Sequence, residues 1–180
     1  MFPWSIQWYF GGVFETFTER ARRVVFAARF KTGQRGGDAI DVDDLVVALI
    51  LEDQGMLGSL FRQLHPELPS SGFAFPKENA SLFIPPGVAS DLLPKIERLL
   101  PQSDALPTTA EISASLALKS VLGDAQALQR QLNQNQIEPL HLWAAVLGKS
   151  SQAAELLRQA GIDREQALRM LQEEPPPADL

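Results

Sequence analysis

The sequence predicts an all-α protein of about eight helices, set out as two four-helix units, and three observations carry that reading. Apolar residues recur on a 3.6-residue period along most of the chain. Each periodic run is bracketed by a capping residue before it and by Gly or Pro after it. The order of runs in the first half, a long helix, a loop, a second helix, a short break and two more helices, returns in the second half. An internal repeat of roughly 75 to 90 residues follows, and each unit alone would leave an apolar face that its neighbour must cover. No strand is required.

The first run begins at Phe14, with Phe17, Ala21, Val24, Val25 and Ala28 on one stripe. Thr16 or Thr18 can cap it, Thr16 and Glu19 having capping-box spacing, and Gly33, Gly36 and Gly37 end it. Asp41 suits the N-cap of a second helix through Val42, Leu45, Val46, Leu49 and Ile50, which Gly55 breaks. Leu57, Leu60, Phe61 and Leu64 mark a short third helix that Pro66 stops. Residues 66 to 88 hold Pro66, Pro69, Pro76, Pro85 and Pro86, a density that reads as a surface excursion. Its Phe73, Phe75, Leu82, Phe83 and Ile84 are costly to leave in water, so parts of it should lie in a groove. A helix over Ser90 to Leu100 closes the first half.

In the second half, Thr108 and Glu111 form a capping box for a long helix carrying Ile112, Leu116, Val121, Leu122, Ala125, Leu128 and Leu132. Asn133 to Gln136 form a turn, and Pro139 starts a helix with Leu140, Trp143, Ala144 and Leu147 inward, closed by Gly148. Ser151 to Ala160 is a short helix ended by Gly161, and Asp163 with Gln166 caps a last one through Leu171. The domain reading is an aromatic leader over 1–13, a helical domain over 14–172 and an extended tail over 173–180. Within the domain the repeats span 14–100, including the excursion, and 106–172.

Composition narrows the chemistry. At 180 residues, 45% hydrophobic and 21% charged, the chain has ordinary globular character. Cysteine is absent, which removes disulfide frameworks, thiolate metal sites and cysteine nucleophiles. Sixteen Lys and Arg against 22 Asp and Glu give a net charge of −6, which opposes a large nucleic-acid footprint. No stretch approaches the ~20 apolar residues that span a bilayer, and the first ten residues lack the features of a signal peptide. The expected location is the cytosol. The leader holds Phe2, Trp4, Trp8, Tyr9 and Phe10, a patch that either folds back on the domain or serves a partner or a second copy. Arg20, Arg22, Arg23, Arg29, Lys31 and Arg35 crowd one helix and its loop and read as a solvated face, an acidic partner's patch being the next reading. His65 suits a helix C-terminus. No nucleophile elbow, paired carboxylates or acid-partnered histidine is visible, so no catalysis, metal or cofactor is expected.

Particular runs also resemble a known family. Phe14 to Val25 resembles the opening helix of the N-terminal domain of the Clp unfoldase ATPases. Ile40 to Leu49 resembles that family's second-helix signature, Ile-x-Thr-Glu-His-Leu-Leu-Leu-Ala-Leu. In the second half Ile112-Ser113 is similar to the opening Leu-Ser or Phe-Thr, Ile137 to Leu142 to the second signature, and Ala153 to Asp163 to the closing Leu-x-x-x-Gly-Ile-Asp. The resemblance covers residues 14 to 172 and implies a pseudo-twofold double domain that binds proteins without catalysing a reaction. The implied partner is a Clp ATPase or protease subunit, an adaptor or a substrate peptide, with no nucleic acid and no membrane span. The ATPase itself is not in evidence: Gly148-Lys149-Ser150 lacks the glycines of a phosphate loop and follows a helix.

In some members an acid of the second-helix signature and a hydroxyl of the first build a phosphoarginine pocket in each half. The resemblance places Thr18 and Asp43 there in the first half, and helix capping is the competing role for both. In the second half it offers Ser113, but Leu140 stands at the acidic position. Arg20 and Asp44 join this candidate protein-binding set, as does His141, whose position suits a hydrogen bond that braces helix ends. The alternative is a self-associating structural or regulatory protein that has lost the Clp partnership, with the leader as its contact.

Overall fold

The computed structural model describes residues 15–64, 83–107 and 110–173. Among these residues the elements run α1 (Glu19–Gln34), β1 (Ala39–Ile40), α2 (Val42–Asp53), α3 (Leu57–Leu64), α4 (Pro86–Glu97), β2 (Ser113–Ala114), α5 (Leu116–Gln131), α6 (Pro139–Leu147), α7 (Gln152–Gln159) and α8 (Arg164–Glu173). The eight expected helices are present, and the fold is all-α. The aromatic leader, most of the 66 to 88 excursion, His65, Thr108 and the tail beyond Glu173 lie outside the described residues.

The two halves superpose in sequence with a constant spacing. The N-caps Thr18 and Ser115, the left-handed Gly36 and Asn133, the strand residues Ile40 and Ile137 and the N-caps Asp41 and Glu138 are each 97 residues apart. The last helices, starting at Pro86 and Arg164, are only 78 apart. The repeat length of 75 to 90 therefore describes only the last helices, because the first half carries extra residues between α3 and α4. Left-handed backbone recurs at the same turn. Gly36 has φ +70°, and a Cβ there would fall 2.3 Å from the Asp104 carbonyl oxygen, so glycine is required. Asn133, with φ 56°, serves in the open second half.

The core lies between α2 and α6, which pack on each other and on a long helix apiece, α1 and α5. Eleven of the twelve residues of α2 and eight of the nine of α6 are buried, which is why neither shows a one-sided stripe. Trp143, Phe17, Leu45 and Leu49 are among the fully buried side chains.

Several elements differ from expectation. Phe17 is buried but precedes α1, and it pairs with Ile137 in a parallel bridge. Ile40 pairs with Ala114 in the same way, so two short parallel pairings exist where no strand was required. The fifth helix starts at Leu116 rather than near Ile112: Ile112 and Ala114 alternate inward on extended backbone, and Leu116, 83% exposed, contributes nothing to the stripe. The fourth helix starts at Pro86, inside the segment read as excursion, because Pro is well suited to a first helical position. Phe83 and Ile84 are buried, as expected of parts of that segment. Asp53 fixes them there: its carboxylate accepts the N–H groups of Phe83 and Ile84 at 2.8 and 3.0 Å.

Two buried polar locks hold the second helix of each half to its preceding turn, and they occupy equivalent positions. In the first half Asp44 is wholly buried and pairs bidentately with Arg35, Nε to Oδ1 at 2.9 Å and Nη2 to Oδ2 at 2.7 Å. Asp44 Oδ2 also accepts the Asp41 N–H at 2.9 Å, closing a capping box. In the second half His141 takes that place. Its Nδ1 accepts the Glu138 N–H at 2.8 Å, so the ring proton sits on Nε2 and is donated to Gln134 Oε1. Gln134 Nε2 then donates to the Leu171 carbonyl at 2.9 Å, tying α8 to the turn. The residue equivalent to Gln134 is Gly37, where a Cβ would meet the Arg35 guanidinium. Arg35 thus fills from one side the space that Gln134 fills from the other.

Removing one member of the charged lock should cost far more than removing both. Asp44→Ala is expected to lose about 3–5 kcal/mol in urea unfolding, because a buried guanidinium is left alone, and Arg35→Met with Asp44→Leu should recover much of that loss. A single-variant loss under about 1 kcal/mol would contradict the lock. Burial lowers the His141 pKa to about 4. The folded state therefore binds fewer protons than the unfolded one between pH 6.5 and 4. This contribution is complete above pH 6.5 and is lost as the pH falls, by about 2 kcal/mol at pH 5. The stability gap between the wild-type chain and His141→Gln, measured by urea unfolding at pH 7 and 5, should narrow by that amount.

Candidate functional site

The candidate site lies where the two halves exchange partners. Thr18 N–H donates to the Ile137 carbonyl at 3.0 Å and Ile137 N–H to the Thr16 carbonyl at 2.8 Å. Across the pseudo-twofold axis, Ser115 N–H donates to the Ile40 carbonyl at 2.9 Å. The N-termini of α1 and α6 meet at the first of these exchanges and those of α5 and α2 at the second, each cap reaching toward the other half. Thr18 Oγ1 accepts the Ala21 N–H at 3.2 Å, and its proton lies within reach of the Ile137 carbonyl and Glu138 Oε2 at 3.3 and 3.5 Å. Ser115 Oγ accepts the Leu118 N–H at 3.1 Å and donates to Asp41 Oδ1 at 3.3 Å.

The hydroxyl equivalent to Thr18 is therefore Ser115, two residues beyond Ser113. Ser113 is half-buried on β2 and pairs with Ala39. The displacement arises because the chain enters α5 through extended backbone, so the Ile-Ser match at 112–113 falls on a strand and the cap comes after it. Sequence reading passed over Ser115 although a serine directly before a helix is a cap signal.

The predicted site residues divide accordingly. Thr18, 2% exposed, is a cap shared with the second half. Arg20 pairs through Nε and Nη2 with Glu52, which is buried. Asp44 and His141 are the two locks. Asp43 behaves differently: it is half-buried on the first turn of α2, and the Ala153 N–H at the start of α7 donates to it. Burial first, then Asp41, raises its pKa, while that N–H opposes the shift. Its Oδ1 is buried and has no hydrogen-bond partner among the described residues. The equivalent position is Leu140, which is half-buried and offers no acceptor. Thr18 and Asp43, expected together, share none of their hydrogen-bond partners, because Thr18 faces Glu138 and Asp43 faces α7. Phe2, Trp4, Trp8, Tyr9 and Phe10 lie outside the described residues.

The crowded basic residues do not form a strip. Arg22 donates to the Glu15 carbonyl, Arg23 pairs with Glu19, Arg29 donates to the Ala110 carbonyl, Lys31 pairs with Glu97 and Arg35 with Asp44. Lys149, following the helix end at Gly148, pairs with Asp124 and donates to Ser120. Among the described residues no cluster of His, Asp and Glu could hold a metal ion, and no helix is long and apolar enough to cross a membrane.

Comparison with known proteins agrees with this geometry. Residues 92–177 match the Clp repeat (R) N-terminal domain family. No curated protein matches the chain significantly over its sequence. Among solved structures, the N-terminal domain of the caseinolytic protease associated chaperone ClpD from Arabidopsis thaliana is similar with a TM-score of 0.58 and 21% identity, over 89% of this chain and 97% of that one. The Hsp104 N-terminal domain from Candida albicans is similar with a TM-score of 0.59 and 15% identity, over 88% and 93%. A structure from investigations of a malarial protein secretion system gives a TM-score of 0.63 and 14% identity, over 88% and 93%. Residues 92–177 thus resemble the Clp repeat (R) N-terminal domain family in sequence, and the described residues of the whole chain adopt the fold of Clp N-terminal domains.

Proposed function

We propose that this chain is a non-enzymatic protein-binding module, an adaptor or accessory factor that recruits substrates or partners to a Clp unfoldase or protease in the cytoplasm. The fold supports the general class, since it is a protein-interaction module in the Clp ATPases. The observation that carries the site is Asp43: a buried carboxylate oxygen without a partner among the described residues, held at the junction of the halves. Asp41 stands beside it, and Ser115 is hydrogen-bonded to Asp41. Such a group accepts a cationic side chain from a partner, a lysine, an arginine or its phosphorylated form, because pairing relieves the charge that burial disfavours. Leu140 at the equivalent position makes the module one-sided, with one acidic pocket rather than two.

Self-association through Phe2, Trp4, Trp8, Tyr9 and Phe10 is the second reading, favoured by five aromatics in the first ten residues. One experiment separates the two. Affinity capture from the native cytosol with the wild-type chain should recover a Clp ATPase or protease subunit. Asp43→Asn, which preserves shape, should weaken recovery about tenfold, the value of one charge-assisted hydrogen bond. Capture of the chain alone, with light scattering that reports an oligomer abolished by deleting residues 1–10, would overturn the recruitment reading. Undiminished capture by Asp43→Asn would remove Asp43 from the site.

A further inference from the structure

The two long helices differ on the sides they turn away from the core. In α1 the stripe Ala21, Val24, Val25 and Ala28 is sealed inward, and α2 is its main neighbour. Phe26 and Phe30 stand on the opposite side, about half a turn round, yet they are only 7% and 9% exposed, and Ala27 beside them is inaccessible. The equivalents of Phe26, Ala27 and Phe30 in α5 are Gly123, Asp124 and Ala127, and all three are exposed. The first half therefore has an aromatic outer face where the second has a small and polar one. The Phe26 and Phe30 rings lie 5.3 Å apart, tilted at 55°, and form one aromatic surface. The chain enters α1 beside this surface. Arg22, Phe26 and Phe30 follow one another at four-residue steps, a single row along the helix. At the head of that row Arg22 Nη2 donates to the Glu15 carbonyl at 3.3 Å. The connector between the halves approaches α1 from its other end, where Ser103 N–H donates to the Arg35 carbonyl, Leu106 N–H to the Gly33 carbonyl, and Arg29 to the Ala110 carbonyl. Among the described residues these bonds stop at Arg29, short of Phe26 and Arg22.

We propose that the aromatic leader docks in cis on this outer face of α1, covering Phe26 and Phe30 with its own Trp8, Tyr9 and Phe10. Reach permits it. Arg22 and Phe30 are roughly 12 Å apart along the helix, and roughly four extended residues before Glu15 span that distance, which brings Phe10, Tyr9 and Trp8 to the far end of the row. Rings on both sides then leave water together, a surface that neither element hides alone. The pseudo-twofold relation offers another path, along α5 as the connector runs along α1. The face met there holds Gly123, Ala127 and Arg130, which are exposed and present no ring. The excursion is the other apolar segment outside the described residues, but it returns at Phe83, which Asp53 holds and which packs on Trp143 of α6. A leader docked in cis is not available to a second copy, so the inference is independent of the Clp reading and opposes self-association.

Solution NMR on the full chain tests the docking. The combined leader variant Trp8→Ser, Tyr9→Ser and Phe10→Ser leaves every described core residue in place, and its largest amide shift changes outside the leader should fall at Phe26 to Phe30. The chain has no cysteine of its own, so a nitroxide can be placed on Gln34→Cys, an exposed position just past Phe30. It should broaden the amides of Trp8, Tyr9 and Phe10 in the otherwise unaltered chain, and the signals at these positions should return when the three serines are introduced. The same nitroxide on the equivalent exposed position, Gln131→Cys in α5, should leave the leader sharp. Broadening from Gln131 in place of Gln34, broadening of Phe73 and Phe75 in place of the leader, or shift changes that miss Phe26 to Phe30 would overturn the proposal. So would broadening of a thiol-free, isotope-labelled chain by an added spin-labelled one, since the leader then docks on a second copy.

Discussion

The structure depends on a reciprocal exchange of backbone hydrogen bonds between its two halves. Helix N-termini leave N–H groups without intrahelical partners, and the extended residues ahead of α1 and α5 would leave more. Neither half satisfies these groups alone. Thr18 turns to Ile137 of the second half, and Ser115 turns to Ile40 of the first. Each β pairing is so short that it has no stability of its own, and it persists because the helices on either side of it are packed. The exchange fixes the pseudo-twofold relation, the approach of α2 to α6, and the pairing of the helix starts, α1 with α6 and α5 with α2.

The same architectural position is then solved by different chemistry in the two halves. At the third residue of the second helix, the first half uses a carboxylate against a guanidinium, and the second uses a neutral imidazole against an amide. Both satisfy the N-cap backbone N–H, so the fold does not distinguish them. Electrostatics does. The ionic lock is intolerant of losing one member, whereas the imidazole lock must remain neutral to stay buried. Arg35 also excludes any side chain at residue 37, so the two solutions cannot be mixed within one half.

Symmetry is broken again one residue earlier, where Asp43 and Leu140 correspond. Asp43 projects toward the first turn of α7 and receives one N–H from it, leaving an oxygen without a hydrogen-bond partner among the described residues. A leucine there removes both the cost of burying charge and any means of recruiting one. The two halves therefore differ in charge at this position, although the backbone that builds it is nearly twofold.

Much of the fold was legible because local physics determined it: Asp41, Ser151 and Asp163 cap helices, Gly36 and Gly161 supply left-handed backbone, and the apolar stripes of α1 and α5 face inward. The eight helices and their repetition follow from such signals, which act within a few residues and so are written in order along the chain. Short extended pairings are not, because two residues carry no periodicity, and so Ile112 and Leu116 read as helix and the resemblance points to Ser113 where the structure has the cap at Ser115. Asp43 and Asp44 both stood in the candidate binding set, yet Asp44 is a buried structural ion and Asp43 holds an acceptor without a partner among the described residues. That division, the identity of Arg35 and Gln134 as lock partners, and the different hydrogen-bond partners of Thr18 and Asp43 arise only when elements distant in sequence meet. Composition and spacing determine which residues form helices and which face turns inward; burial and the choice of partner across the junction decide which polar groups are consumed by folding and which remain to bind.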